Sequence, residues 1–275
     1  MTETFKFCIL FEEAPGRDLA QIAPGWEMAE IPVALMVKPF ESAANWSRQR
    51  RAIASWNLPP IKASSHFLQF WGLTPVGPGV DWDQLEFWTR RAFARLAGLG
   101  VEVVGVYGSF FKPPEGFSKT KATDQAIRFV DRLADYAEMY DMLVALEPTA
   151  DPQSLWPMYL DGIRFAREEI GRPAVRVMAD INYFLKGNQP FDLIAQEPDD
   201  CLHVHIAGDR GQPGVGDLDD VFIRLFRILR DIGYTRGVSA ACPWVSTDGG
   251  PVDFGKETAR SLRYLQGLRD KVYAE

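Results

Sequence analysis

Three cysteines in 275 residues, Cys8, Cys201 and Cys242, are few, odd in number and never spaced as CxxC. That pattern argues against a disulfide framework and against a thiolate zinc site, and it fits a reducing compartment. No apolar run reaches the roughly 20 residues a membrane helix needs. The first residues carry no basic segment ahead of their short apolar run, so a signal peptide is not expected. The expected location is cytoplasmic, with no membrane partner. Positive charge is scarce as well: 30 Lys and Arg against 37 Asp and Glu leave a formal charge of −7 and a pI near 5.2. Nucleic acid is therefore not an expected partner, because that affinity comes mainly from basic side chains neutralising phosphates. Neither GxGxxG nor the P-loop pattern GxxxxGK followed by Ser or Thr occurs, which weakens an open, doubly wound nucleotide-binding sheet. Internal repeats, low-complexity tracts and long linkers are missing too, so a second domain has no place to begin.

What is present is a large core in the making. Hydrophobic residues make up 47% and charged residues 24%, with 18 Phe, 8 Tyr and 8 Trp. Short apolar runs alternate with longer amphipathic stretches, the pattern of βα units around a parallel sheet. Eight runs read as strands: Lys6–Phe11, Glu27–Ile31, Ile61–Ser65, Val101–Tyr107, Met142–Glu147, Val175–Asp180, Cys201–Ala207 and Gly237–Cys242. Between them, Leu85, Trp88, Ala92, Leu96 and Leu99 recur at helical steps, as do Ile127, Val130, Ala134 and Ala137. Asp151-Pro152 reads as an N-cap followed by a first-turn proline, and a helix entered near Asp217–Asp220 should stop at Gly233. Eight such units in one chain of this length predict a single-domain (β/α)8 TIM barrel spanning residues 1–275.

Barrel chemistry sits at the C-terminal ends of the strands, so the last inward side chain of each run is where to look. Leu-Val-Ala-Leu-Glu147 ends an apolar run on a carboxylate, and Val-Met-Ala-Asp180 does the same one unit later. In Leu202-His203-Val204-His205-Ile206, alternation sends both imidazoles to one face. With the aliphatic residues against the outer helices, both histidines look into the barrel. Read singly, Glu147 is a helix cap, Asp180 a loop-capping acid and His205 a satisfied core histidine. In register on three consecutive strands, two carboxylates and an imidazole make a hard divalent-cation site, suited to Mn, Mg, Co or Zn. His66 follows the third strand and titrates near neutrality, which suits proton transfer. Lys112 could hold an anionic group. The aromatics Phe67, Phe70, Trp71, Phe110, Phe111, Tyr183, Phe184 and Trp244 crowd the loops that follow strands. Together they predict a deep pocket with apolar walls, able to stack a sugar ring or a larger aromatic ligand.

At these residues the sequence resembles the sugar-phosphate isomerase/epimerase family, the xylose-isomerase-like barrels. The likeness runs from about Trp26 onward and is carried by Gly25-Trp-Glu-Met-Ala-Glu30, by Val106-Tyr-Gly-Ser109 with Pro114-Glu-Gly-Phe117, and by Ala145-Leu-Glu147-Pro148. His203-Val-His205 with Arg210, Pro213-Gly214-Val-Gly216 and Gly233-Tyr234 completes it. The resemblance implies Glu147, Asp180 and His205 as ligands of a divalent metal, with Glu147 also moving a proton, and Arg210 facing a small carbohydrate substrate. Glu30, Tyr183 and Asp209 join His66 as candidates for the second proton carrier, His66 first. Glu30, Lys112, Trp71 and Tyr183 are further candidates for touching substrate. Two departures stand out. Tyr183 occupies the place where the family usually has histidine, and Ala241 stands where its last strand usually ends in a metal-binding glutamate. The expected activity is a sugar, sugar-acid or polyol isomerase or epimerase. The same site would also serve a keto-sugar dehydratase or lyase, or a catalytically silent sugar-binding barrel. A homo-oligomer is a fair expectation.

Overall fold

The computed structural model describes residues 3–11, 21–56, 58–69, 71–216 and 218–275. Eight parallel strands pair in chain order and the last closes on the first. They are β1 (Lys6–Leu10), β2 (Met28–Pro32), β3 (Ile61–Ser65), β4 (Val103–Tyr107), β5 (Leu143–Glu147), β6 (Val175–Asp180), β7 (Cys201–Ile206) and β8 (Gly237–Ala240). Each expected run supplies one strand, with ends that differ by two residues at most. This is a TIM barrel.

The helices are α1 (Ala43–Ser55), α2 (Trp82–Ala97), α3 (Lys119–Met139), α4 (Tyr159–Arg164), α5 (Ile181–Lys186), α6 (Asp192–Gln196), α7 (Asp219–Asp231) and α8 (Phe254–Tyr273). They are not one per strand: α5 and α6 both lie between β6 and β7, and among the described residues no α-helix joins β1 to β2. Their starts are set locally. The side chains of Ser42, Asp81, Ser118 and Asp253 each accept a hydrogen bond from the backbone N–H three residues on, satisfying a donor the helix leaves free. The apolar stripes then bury against the sheet: Leu85, Trp88, Ala92 and Leu96 of α2, and Val130, Ala134 and Ala137 of α3, are all at or near zero exposure.

One expected start is wrong. Asp151-Pro152 opens a series of turns, and α4 begins only at Tyr159. The Asp151 carboxylate accepts from Gln153 N and holds Lys112 at 2.7 Å, while Leu155 N and Ala150 N bond to Phe111 O and Pro157 O. These contacts tie the segment into a loop between β5 and α4, which outweighs the local capping signal. The entry to α7 is at Asp219 and Gly233 follows its end at a φ of 66°; Asp217 lies outside the described residues.

Inside the barrel, Val103, Ala145 and Met178 pack with Leu202 in a small cluster apart from the main core. By strand alternation the first three share a face with Tyr107, Glu147 and Asp180 at the strand ends. Apolar side chains thus form the floor beneath the polar ends.

Candidate active site

A cavity of ≈ 450 Å³ opens at the C-terminal end of the barrel, lined by Leu10, Phe11, His66, Gln69, Tyr107, Glu147, Asp180, Asn182, Tyr183, His205, Ala241, Cys242 and Pro243. Its size suits a small organic molecule such as a monosaccharide.

Glu147, Asp180 and His205 meet there. Each is less than a tenth exposed, and one ligand-type atom from each lies within 4.8 Å of the other two. His205 Nδ1 stands 3.7 Å from Glu147 Oε1 and 3.8 Å from Asp180 Oδ2, too far for hydrogen bonds. Asp180 also caps α5, its Oδ1 accepting from Asn182 N at 2.7 Å, which leaves Oδ2 for the cavity. The imidazole is fixed from behind. Its Nε2 lies 3.0 and 3.2 Å from the two oxygens of Glu30, and His203 Nε2 lies 2.9 Å from the same carboxylate. Burial alone would raise the pKa of Glu30, but His205 and His203 hold it well below the usual carboxylate range. Burial would lower that of His205, and the Glu30 charge with the flanking acids pushes it well above the ordinary value instead. Burial raises Glu147, helped by the negative charges of Asp180 and Glu30.

The donor set fits a divalent cation on chemical grounds. Two carboxylates forced together in a buried place repel each other unless a positive charge lies between them, which either a metal ion or a protonated His205 supplies. Two hard oxygens and one imidazole nitrogen suit Mn, Mg or Zn. A carboxylate behind the second imidazole nitrogen is the usual outer partner of a metal-ligating histidine. Three protein ligands leave positions open to substrate, and Ala241 on the cavity wall supplies no fourth.

His66 sits in the turn after β3 with a φ of 52°, a conformation that costs free energy for a side-chain-bearing residue. Its Nδ1 and the Oε1 of Gln69 are both buried, both belong to cavity-lining residues, and neither has a hydrogen-bond partner among the described residues. Burial lowers the pKa of His66, against the pull of Glu30. Tyr107 and Tyr183 close another part of the wall, their hydroxyl oxygens 2.7 Å apart.

Other sequence candidates are placed elsewhere. Glu30 is 1% exposed beneath His205 and does not line the cavity, because two histidines claim its oxygens. Lys112 is turned to Asp151. Arg210 and Asp209 are exposed and are not lining residues. Trp71 is 40% exposed and packs on Phe40 and Trp88, its Nε1 donating to Ala34 O at 3.3 Å. The aromatic-walled pocket is also corrected. Phe67, Phe111, Phe184 and Trp244 are buried in the core, Phe110 rests on Tyr107, and Tyr183 alone of the described members lines the cavity; Phe70 lies outside the described residues. Packing against helices satisfies those rings before a ligand can. Gln69, Tyr107 and Asn182 were missed by the sequence reading, although Tyr107, like Glu147, is the last residue of an apolar run.

Residues 41–268 match the family described as xylose isomerase-like TIM barrel. Among solved structures, the chain is similar to the apo 3-keto-D-glucoside 4-epimerase YcjR of E. coli, at 20% identity, with 96% of this chain and 100% of that one covered and a TM-score of 0.74. It is similar to the D-allulose 3-epimerase of Methylomonas sp. in complex with D-allulose, at 17% identity, 97% and 98% coverage and a TM-score of 0.70. A third is the IOLI protein with a binding zinc atom, at 14% identity, 98% and 100% coverage and a TM-score of 0.70. At such identities the likeness is one of fold. No curated protein sequence matches the chain significantly.

Proposed function

This chain belongs to the xylose isomerase-like TIM barrel family, and from that premise we propose that it is a divalent-metal-dependent enzyme moving protons next to the carbonyl of a small sugar, in the manner of an isomerase or epimerase. The observation that carries the reading is the convergence of Glu147, Asp180 and His205 within 4.8 Å on the cavity wall. These three would hold the metal, which supplies Lewis acidity to a substrate oxygen. The protein's own part is to move the proton. His66 lines the cavity, and burial favours the neutral imidazole that accepts a proton. Gln69, also on the cavity wall, brings an amide whose N–H and oxygen are the groups a sugar hydroxyl bonds. Glu30 acts behind the site by orienting His205 rather than by touching substrate.

A second reading is favoured by Ala241 and Tyr183. Without a carboxylate at 241, two-glutamate epimerisation lacks one base, whereas elimination from a keto-sugar needs one base and one acid. The sugars named for the structural neighbours, D-allulose and a 3-keto-D-glucoside, are the first substrates to try.

The test is elemental mass spectrometry on protein purified without chelator or affinity nickel, beside Asp180→Asn, which keeps an oxygen to cap α5. About one Mn, Co, Mg or Zn per chain, lost from the variant, is the expected result. An empty wild-type chain, still empty after dialysis against those metals, rejects the metal-dependent reading.

A further inference from the structure

A second hollow lies where α1 and α2 end and β3 begins, at the N-terminal end of the barrel. It is a cleft of ≈ 500 Å³. Ile53 at its floor is buried, and Trp56, Leu58, Ile61 and Leu99 are partly buried against the core. Two guanidinium groups, those of Arg50 and Arg51, stand in the same lining, and both residues are exposed. Neither has a hydrogen-bond or acid partner among the described residues. Trp56 also meets Phe11 edge-on at 6.5 Å, and Phe11 lines the cavity at the strand ends, so one aromatic contact joins the two linings.

Charge in this region runs against that of the molecule. Residues 42–80 include Arg48, Arg50, Arg51 and Lys62 and no Asp or Glu, in a chain whose formal charge is −7. Lys62 is paired with Glu102 and Arg48 donates to Asn45, which leaves Arg50 and Arg51 to the cleft. Two unpaired cations in an otherwise acidic chain attract an anion to this place. The remaining lining limits what that anion carries. No hydroxyl, amide or carboxylate side chain belongs to it, so a sugar finds no partner there for its hydroxyls and a cation finds no counter-charge. Its side chains are chiefly aliphatic, and such a surface is covered most favourably by hydrocarbon.

We propose that this cleft is a second binding site, and that its ligand is a small aliphatic carboxylate. The chain lies on Trp56, Leu58, Ile61 and Leu99, and the head meets Arg50 and Arg51. A guanidinium presents forked donors that match the two oxygens of a carboxylate, which makes arginine the suitable cation for such a head. The site needs neither the metal nor the carbohydrate of the other cavity, so the two readings stand or fall separately.

The experiment is calorimetric titration of the full chain with hexanoate, octanoate and n-octanol. It is repeated on the double variant Arg50→Ala/Arg51→Ala and on Ala54→Trp, whose indole fills the cleft from an exposed position in its lining. Octanoate is expected to bind the wild type at about one per chain, more tightly than n-octanol and about tenfold more tightly than hexanoate, since each buried CH₂ adds about three- to fourfold. The double variant should weaken octanoate about 3–30-fold and leave n-octanol within about twofold, as expected for two exposed ion pairs. Ala54→Trp should abolish both. Octanoate binding that ignores loss of the arginines, or that survives Ala54→Trp, overturns the proposal, as does a wild type with no saturable binding or with n-octanol the tighter ligand. Light scattering separates the other occupant: an oligomer that binds no octanoate and falls to monomers in the double variant puts a second copy of the chain in the cleft, and overturns the proposal too. The comparison of the three ligands on the wild type decides the matter even if a variant folds poorly.

Discussion

At the scale of single residues, the molecule spends its most unusual chemistry on Glu30. A carboxylate at 1% exposure is tolerable only when partners take up its charge and its lone pairs, and two imidazoles do so. His203 fits because position 237 is glycine: a Cβ there would come 2.8 Å from His203 Cε1. The expected consequence lies at His205. Glu30→Gln keeps the shape but not the charge, and should weaken Mn²⁺ binding about 10–100-fold, read by calorimetric titration. An unchanged affinity would mean that packing alone orients the ring. The inward turn of both histidines was legible in the alternation of His203-Val204-His205. Their common partner was not, because Glu30 stands 173 residues away from one and 175 from the other.

At the scale of elements, the outer helices are joined by charge as well as by apolar stripes. Glu86 of α2 accepts from Arg132 Nε and a terminal nitrogen of Arg132 at 2.7 and 2.8 Å, and Tyr136 of α3 donates to the same carboxylate. The bonds from Arg132 hold the Glu86 carboxyl below its usual range, outweighing partial burial. A carboxyl depressed in the folded state lends stability that is present above the unfolded value of about 4.3 and is lost as pH falls through the folded value. With Glu86 39% exposed, solvent screens the pair. Glu86→Gln should therefore cost less than about 1 kcal/mol at pH 7, shrinking toward nothing by pH 3, measured by urea unfolding at both pH values. A cost that is the same at both would remove the ion pair from the explanation. Sequence periodicity found the buried stripes of α2 and α3. It misread the start of α4, because the contacts of Asp151 with Lys112 and of Ala150 and Leu155 with their backbone partners come from the folded loop.

For the whole molecule, the three acids Glu30, Glu147 and Asp180 meet two imidazoles inside a barrel whose net charge is already negative. A cation that binds only the folded chain must stabilise it, by about 2.7 kcal/mol at a hundred times its Kd. At about 2–4 °C per kcal/mol for a chain of this size, saturating Mn²⁺ should raise the Tm by about 5–10 °C. Chelator should reverse the rise, and Asp180→Asn should show little of it. A melt indifferent to every divalent metal would count against the site.

By itself the sequence determined the barrel: eight apolar runs, alternating with helical stripes and free of nucleotide-loop signatures, leave few other ways to bury so much apolar surface. It also determined that Glu147, Asp180 and His205 end neighbouring strands, since strand alternation is a local rule with a period of two. Tertiary structure alone decided which polar groups meet. It withdrew Glu30, Lys112, Arg210 and Trp71 from the cavity and brought in Gln69 and Tyr107. The reason is physical: a side chain's partner is set by closure of the barrel, which brings residues more than a hundred positions apart within hydrogen-bond reach, and no pattern along the chain records that distance.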